Sequence, residues 1–104
     1  AEIRKRVIAA RKIQQERFLE YGRNDLFTNS ELNGDMLEKA AVMDEDAKQL
    51  LINYANSVKL SARGYNRTLK LARTIADLQN EIELHRIHIA EALSLRWKVS
   101  DYKI

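Results

Sequence analysis

The sequence predicts an all-α domain, a bundle of four main helices plus one short helix, over residues 1–104. The chain has no proline and only three glycines, at positions 22, 34 and 64, so it lacks the turn signals of a β fold. Apolar residues recur at three- and four-residue spacing through most of the chain. Apolar residues make up 45% of the 104 residues and charged residues 32%, which suits one globular domain.

The first half of the chain predicts a long helix, a polar connector and a short helix. The long helix covers residues 2–21 and ends at a cap formed by Gly22 and Asn24. Its shared face consists of Ile3, Val7, Ala10, Gln14, Phe18 and Tyr21. The connector, residues 22–34, is expected to anchor in the core through Phe27 and Leu32. The short helix follows over residues 35–42 and carries Met36, Leu37, Ala40 and Ala41.

The second half predicts three further helices, over residues 45–58, 62–79 and 86–97. Asp44 is the predicted N-cap of the first of these, and its acidic first turn favours the helix dipole. Its apolar face consists of Ala47, Leu50, Leu51, Tyr54 and Val58. The last helix shows Ile89, Leu93 and Trp97 on one face. We expect Ile82, in the preceding loop, to lie in the core, and residues 99–104 to fray.

Helix 62–79 has the most informative pattern. Ser61 is its predicted N-cap. One side is an apolar stripe of Tyr65, Leu69, Ala72 and Ala76, widened by Leu71, Ile75 and Leu78. The opposite side is predicted to carry Arg63, Arg67, Lys70 and Arg73. An arginine in the first turn of a helix suits contact with an anion, although spacing alone also fits a solvated basic face.

The net charge is +3 with a pI near 9.3, and the charge is unevenly placed. Residues 1–24 and 57–79 are basic, whereas residues 25–56 are acidic. This distribution fits either a basic surface for phosphate or nucleic acid, or charge balance among packed helices.

Several chemistries are excluded or disfavoured by the sequence. The chain has no cysteine, so it forms no disulfide, and no G-x-x-x-x-G-K-[ST] phosphate loop, so it cannot hydrolyse ATP on its own. No catalytic residue is assigned. His85, His88 and Glu91 recur at helical spacing, but without cysteine or a third histidine we expect no metal site. No apolar run is long enough for a membrane span, and no signal peptide is visible.

Nearly the whole chain resembles the C-terminal lid of the magnesium-chelatase-like AAA+ ATPases, in particular the ComM/YifB branch. The specific part is Ser61-Ala62-Arg63 followed by Ala72-Arg73-Thr74-Ile75-Ala76-Asp77-Leu78. Weaker matches are Asn29-Ser30-Glu31-Leu32 and His88-Ile89-Ala90-Glu91-Ala92-Leu93-Ser94-Leu95-Arg96. The first helix matches at Ile3, Arg6, Val7, Ala10, Arg11, Gln14 and Arg17. Leu95 departs from the aromatic residue that the family often has there, which we interpret as a packing change.

This resemblance implies that the chain is a lid fragment of a larger, cytoplasmic, ring-forming and hexameric ATPase. Arg63 stands where the family has its sensor 2 arginine, which reaches the nucleotide γ-phosphate in cis or in trans. Arg67, Lys70 and Arg73 are implied supporting or inter-subunit residues, or bond within the lid. The expected partners are an upstream AAA+ core domain and neighbouring subunits, with DNA possible and no membrane. ATP and magnesium would be cofactors of the parent, and the fragment itself, expected to be monomeric, would hold none.

Alternative functions remain open at this point. The resemblance favours a parent that drives DNA branch migration in natural transformation, but a lid of a metal-chelatase motor shares the pattern. A free-standing nucleic-acid-binding module would use helix 62–79 as its recognition helix. A passive helical interaction module would make no phosphate contact at all.

Overall fold

The computed structural model describes residues 2–23, 29–32 and 34–101. The predicted all-α architecture is confirmed, with four long helices and one short helix in the described ranges. The helices are α1 (Glu2–Glu20), α2 (Gly34–Ala40), α3 (Glu45–Val58), α4 (Ala62–Leu78) and α5 (Arg86–Asp101), and a 3-10 helix, Asn29–Glu31, precedes α2. The helix α5 continues past its predicted end at residue 97, and residues 102–104 lie outside the described part of the chain.

The predicted caps set the helix boundaries. The Asp44 side chain accepts a hydrogen bond from the Ala47 N–H at 2.8 Å, and the Ser61 side chain accepts one from the Gly64 N–H at 3.0 Å. Gly22 ends α1 with a φ of 71°, a left-handed conformation that costs glycine little. The other predicted cap residue of α1, Asn24, lies outside the described residues.

Helix α4 is the centre of the domain. It packs against α1, α2, α5 and the 3-10 helix, while α3 packs against α5. Every helix contributes apolar side chains to one core, including Phe18, Leu32, Leu37, Leu51, Ala72, Ala76, Leu84 and Ile89. The apolar stripe predicted for α4 therefore faces the core, as does the predicted connector anchor Leu32. The other anchor, Phe27, and the Trp97 side chain fall outside the described residues and side chains.

Four apolar residues that the sequence placed in the core or on an apolar helix face are exposed in the structure. Ile82, predicted to lie in the core, is 88% exposed, while its backbone carbonyl accepts a hydrogen bond from buried Arg73 at 2.7 Å. Ile3 and Val7 are 79% and 42% exposed, although they continue the buried line of α1. Val58 is likewise exposed in the last turn of α3. Helical spacing gives the side of a helix that faces a neighbour but not how far that neighbour extends.

The α4–α5 connection is tied to the segment before α3. The Leu84 N–H donates to the Val42 carbonyl at 2.8 Å, and the Asp44 N–H donates to the Leu84 carbonyl at 3.1 Å. These two bonds form an isolated parallel bridge between Met43 and Leu84. The N-termini of α3 and α5 are thereby brought side by side, although 41 residues separate Asp44 from His85.

Two histidines connect these helix N-termini. His85 Nδ1 lies 2.7 Å from Asp44 Oδ2, and this hydrogen bond raises the pKa of His85 and lowers that of Asp44. Buried His88 accepts the His85 backbone N–H on Nδ1 at 2.8 Å, so its Nε2 carries the proton and donates to Gln79 Oε1 at 3.0 Å. Burial lowers the pKa of His88, in keeping with this neutral form.

We predict that Asp44→Asn lowers the free energy of unfolding more at about pH 5.5 than at about pH 8.5. Asparagine keeps the N-cap, so the substitution removes mainly the charge that faces His85. Because the folded pKa of His85 is raised, its stabilisation is complete below the unfolded value of about 6.5 and is lost as pH rises through the folded pKa.

Urea unfolding of both proteins across this pH range measures the difference. The control is Asp46→Asn, an exposed carboxyl two residues along the same helix, whose effect should not vary with pH. An equal effect of Asp44→Asn at both pH values would contradict the prediction.

Candidate functional site

Arg63, the predicted sensor arginine, lies in the first turn of α4 and is exposed. The helix start beside it is well formed, since Ser61 caps the Gly64 N–H and the Ser61 carbonyl accepts from the Tyr65 N–H at 2.9 Å. A guanidinium on a fixed helix end is presented to solvent at a defined position. It can bind an anion that another domain supplies.

Arg67 and Lys70 lie on the same side of α4 as Arg63, one and two turns along. Arg67 is exposed, and Lys70 is half-buried and engaged in a contact within the domain. Residues four apart on a helix have Cβ atoms about 6 Å from each other, so Arg63 and Arg67 can approach one anion together. The structure thus brings together three of the four predicted basic residues.

Arg73 does not lie on this basic side, and its predicted placement there is wrong. It is 2% exposed, and its guanidinium donates to the Ala40 and Ile82 carbonyls at 2.8 and 2.7 Å and also to the Glu81 carbonyl. Burial lowers the pKa of Arg73 and neighbouring Asp77 opposes that shift, but arginine keeps its proton in proteins. Of the alternatives for Arg73, bonding within the domain is the one that the structure supports.

Asp77 pairs with two arginines at the inner face of α4. Arg17 of α1 donates two hydrogen bonds to its carboxylate, Nη2 to Oδ1 at 2.6 Å and Nη1 to Oδ2 at 3.0 Å. Arg73 Nε donates to Oδ1 at 3.2 Å. The Asp77 side chain is fully buried and that of Arg17 is 12% exposed, so these charges interact largely away from water.

Two amide side chains complete this buried ion-pair network. Asn29 Nδ2 donates to Asp77 Oδ2 at 2.8 Å and to the Thr74 hydroxyl at 3.1 Å, while Asn29 Oδ1 accepts from Arg17 at 3.0 Å. Gln14 of α1 donates to Asp77 Oδ2 at 3.2 Å. The network therefore joins α1, the 3-10 helix and α4, and Arg73 extends it to the end of α2 and to the α4–α5 connection.

The sequence prediction assigned no function to Asp77, Asn29 or Gln14, although all three belong to the matched stretches. An available signal was the single acidic residue, Asp77, within the basic segment 57–79. Another was Gln14 on an otherwise apolar helix face, because a polar residue there needs a buried partner.

The histidines near the start of α5 are engaged by protein groups. No cluster of three or more His, Asp or Glu side chains is placed to hold an ion in the described residues. Both ring nitrogens of His88 are already engaged by protein groups.

None of the helices in the described ranges is long and apolar enough to cross a membrane.

Comparison with known proteins identifies the family. The family model for the C-terminal part of magnesium chelatase, subunit ChlI, matches residues 1–96. The chain belongs to this family. No solved structure matches it.

The curated relatives within this family are ComM and YifB proteins, which is the branch that the sequence predicted. The chain is 36% identical to Competence protein ComM of Haemophilus influenzae, 35% identical to YifB of Salmonella typhimurium and 32% identical to YifB of Escherichia coli. Each alignment covers 96 residues, which is 92% of this chain but only 18% of the relative. The chain therefore corresponds to less than a fifth of each of these proteins.

We predict that Asp77→Asn destabilises the domain by about 3–5 kcal/mol, the usual cost of removing one partner from a buried ion pair. The substitution leaves the guanidiniums of Arg17 and Arg73 without the carboxylate charge that compensates them. Chemical denaturation followed by circular dichroism measures the change. Glu83→Gln makes the same charge change at an exposed position and should shift stability by no more than about 0.5 kcal/mol. Equal effects of the two substitutions would show that the network is not stabilising.

Proposed function

We propose that this domain is the helical lid of a ComM-like AAA+ ATPase and that Arg63 acts as its sensor 2 arginine. The observation that carries the proposal is the contrast within α4, whose inner face is held by the buried ion-pair network while Arg63 is presented to solvent at its first turn. A rigid helix positions a cation reproducibly. That is the requirement for sensing the charge of a nucleotide phosphate.

The nucleotide would be held by another part of the protein. This chain has no phosphate loop, and the relatives are more than five times its length, so the ATP and magnesium sites of the parent would lie in its AAA+ core domain. The lid would close over the nucleotide bound there, with Arg63 reaching the γ-phosphate of its own subunit or of a neighbour. Arg67 and Lys70, on the same side of α4, would support that contact or touch the neighbouring subunit.

For the parent, we propose a cytoplasmic, hexameric motor that acts on DNA. The support is that the Haemophilus influenzae relative is named a competence protein, together with the similarity to both YifB proteins. Branch migration of DNA during natural transformation is the specific reaction that we propose. A lid in a metal-chelatase motor is the alternative that the family description keeps open.

A free-standing nucleic-acid-binding module is less well supported. That function would use four basic residues of α4, but Arg73 is buried and satisfied by backbone carbonyls. On this side of the helix Arg63 and Arg67 are exposed, while Lys70 is half-buried and engaged in a contact within the domain.

We predict that Arg63→Ala reduces ATP turnover by the full-length protein at least tenfold, up to the roughly 10³-fold that is the lower figure for arginine fingers. The same substitution should change the unfolding free energy of the isolated domain by about 0.5 kcal/mol or less, because Arg63 is exposed. Phosphate release and urea unfolding measure the two effects.

The matched control is Arg67→Ala, an exposed arginine one turn further along α4, which should reduce turnover less. A larger loss with Arg67→Ala would move the sensor assignment to that residue. Full turnover in both variants would refute the sensor function of this helix.

We also predict that the isolated domain binds duplex DNA weakly and without sequence preference, with a dissociation constant of roughly 10⁻⁴–10⁻⁶ M at physiological salt. The net charge of +3 and the small exposed basic side of α4 fit only non-specific electrostatic contact. A fluorescence-anisotropy titration at two salt concentrations measures this. Nanomolar, sequence-selective binding would instead favour the free-standing module.

A further inference from the structure

Four exposed cations form two rows on one side of α1, which we call the outward side of α1. Arg4 and Arg11 are seven residues apart, as are Lys5 and Lys12. Residues seven apart lie on the same side of a helix, two turns and about 10.5 Å along its axis. The lysine row lies opposite the buried side of the helix and the arginine row lies next to it, so all four side chains are exposed.

These four cations are not neutralised within the domain. No acidic residue occurs between positions 3 and 15, and Glu16 lies only at the C-terminal end of the lysine row. In the described part of the chain, none of the four side chains takes part in an ion pair. By contrast, Arg17 and Arg73 are both paired with Asp77. The outward side of α1 therefore keeps its positive charge.

A groove beside the lysine row adds hydrogen-bond donors. Lys5 and Lys12 form part of its α1 wall, and Gln79 and Asn80, where α4 ends, form part of the opposite wall. The Gln79 side-chain oxygen is engaged by His88, so the group that Gln79 can offer to a ligand is its amide N–H. Ammonium groups and amide N–H groups are the donors that contact phosphate oxygens in protein–DNA complexes.

We propose that the outward side of α1, together with the adjoining groove, binds the phosphate backbone of duplex DNA without sequence preference. Its biological meaning rests on the proposed function, that the parent acts on DNA, whereas the contact itself is a property of this chain. The surface lies on a different helix from Arg63, and its contact with DNA requires no nucleotide.

The composition of the surface selects a duplex over a single strand. Proteins that bind single strands stack the bases on aromatic side chains. Among the described residues that line the groove there is no aromatic one, and Phe18, the aromatic residue of α1, is 1% exposed. A duplex carries about one negative charge per 1.7 Å of its axis, so rows about 10.5 Å long face several phosphates at once.

The same composition selects DNA over an acidic protein. The centre of a protein–protein interface is apolar and depleted of charged residues. Here Ile8 and Gln15 lie between the two rows, and charged side chains flank them on both sides. Interfaces with DNA are more polar and more positively charged than those between proteins, which is the character of this surface.

Charge-removal variants of the isolated chain test where the contact lies. Lys5→Gln/Lys12→Gln and Arg4→Gln/Arg11→Gln should each weaken binding to a labelled duplex at least about tenfold, measured by fluorescence anisotropy at low salt. In the wild type, the slope of log affinity against log salt should be about −3.6, the value for four phosphate contacts, and it should change to about −1.8 in either variant. All four side chains are exposed and glutamine is a good helix former, so unchanged melting temperatures verify the fold.

The matched control is Arg63→Gln/Arg67→Gln, which removes the same two charges from exposed positions of α4. It should weaken duplex binding no more than about threefold, because it lowers the net charge but leaves the phosphate contacts in place. Equal losses in the α1 and α4 variants would show that binding follows net charge alone and would overturn the proposal. A larger loss in the α4 variant would also overturn it.

Further outcomes test the occupant of the surface. Tighter binding of a single strand of the same length, or no measurable duplex binding at low salt, would overturn the proposal. Polyglutamate that competes as effectively per charge as unlabelled duplex would indicate an acidic protein partner and would overturn it as well.

This outcome is separable from the sensor function of Arg63. The sensor is tested by ATP turnover of the full-length protein, whereas the outward side of α1 is tested by duplex binding of the isolated chain without nucleotide. Weakened binding in the α1 variants together with normal turnover in Arg63→Ala would support the DNA contact and refute the sensor proposal. Unchanged binding in the α1 variants with impaired turnover in Arg63→Ala would do the reverse.

Discussion

The buried carboxylate of Asp77 is the group on which the arrangement of this domain depends. A buried charge is costly unless it is paired and fully hydrogen-bonded, and Asp77 meets this condition with two guanidiniums and two side-chain amides. Its partners come from α1, the 3-10 helix and α4. Displacing any of these elements would leave a charge or a buried donor without its partner, so the network restricts the helices to one arrangement as well as holding them together.

Arg73, which pairs with Asp77, also hydrogen-bonds to backbone carbonyls outside α4. Its guanidinium reaches carbonyls at the end of α2 and in the α4–α5 connection, where helix ends leave backbone oxygens without intrahelical partners. Arginine suits this position because one rigid, permanently charged fork can satisfy several acceptors at once. The family stretch Ala72–Leu78 therefore specifies the internal structure of the domain, whereas Ser61–Arg63 specifies the start of α4 that faces solvent.

This division has a consequence for how the domain would work in a larger protein. The interior of α4 is fixed, so a movement of the domain would carry Arg63 as a rigid body and not by bending of its helix. The first half of α1 differs from α4, since its apolar residues Ile3 and Val7 are exposed and no described part of the chain covers them.

Local patterns in the sequence determined the helices, their caps and the family. Asp44, Ser61 and Gly22 act through neighbouring residues, so their roles were predictable from the residues around them. The family stretch likewise placed Arg63 at an exposed helix start. Tertiary structure alone decided that Arg73 is buried while Arg67 is exposed, that Ile3, Val7 and Ile82 lie outside the core, and that Asp77 is paired with Arg17, 60 residues away. The physical reason is that helical spacing gives the direction of a side chain, whereas burial and charge pairing depend on where the distant helices end.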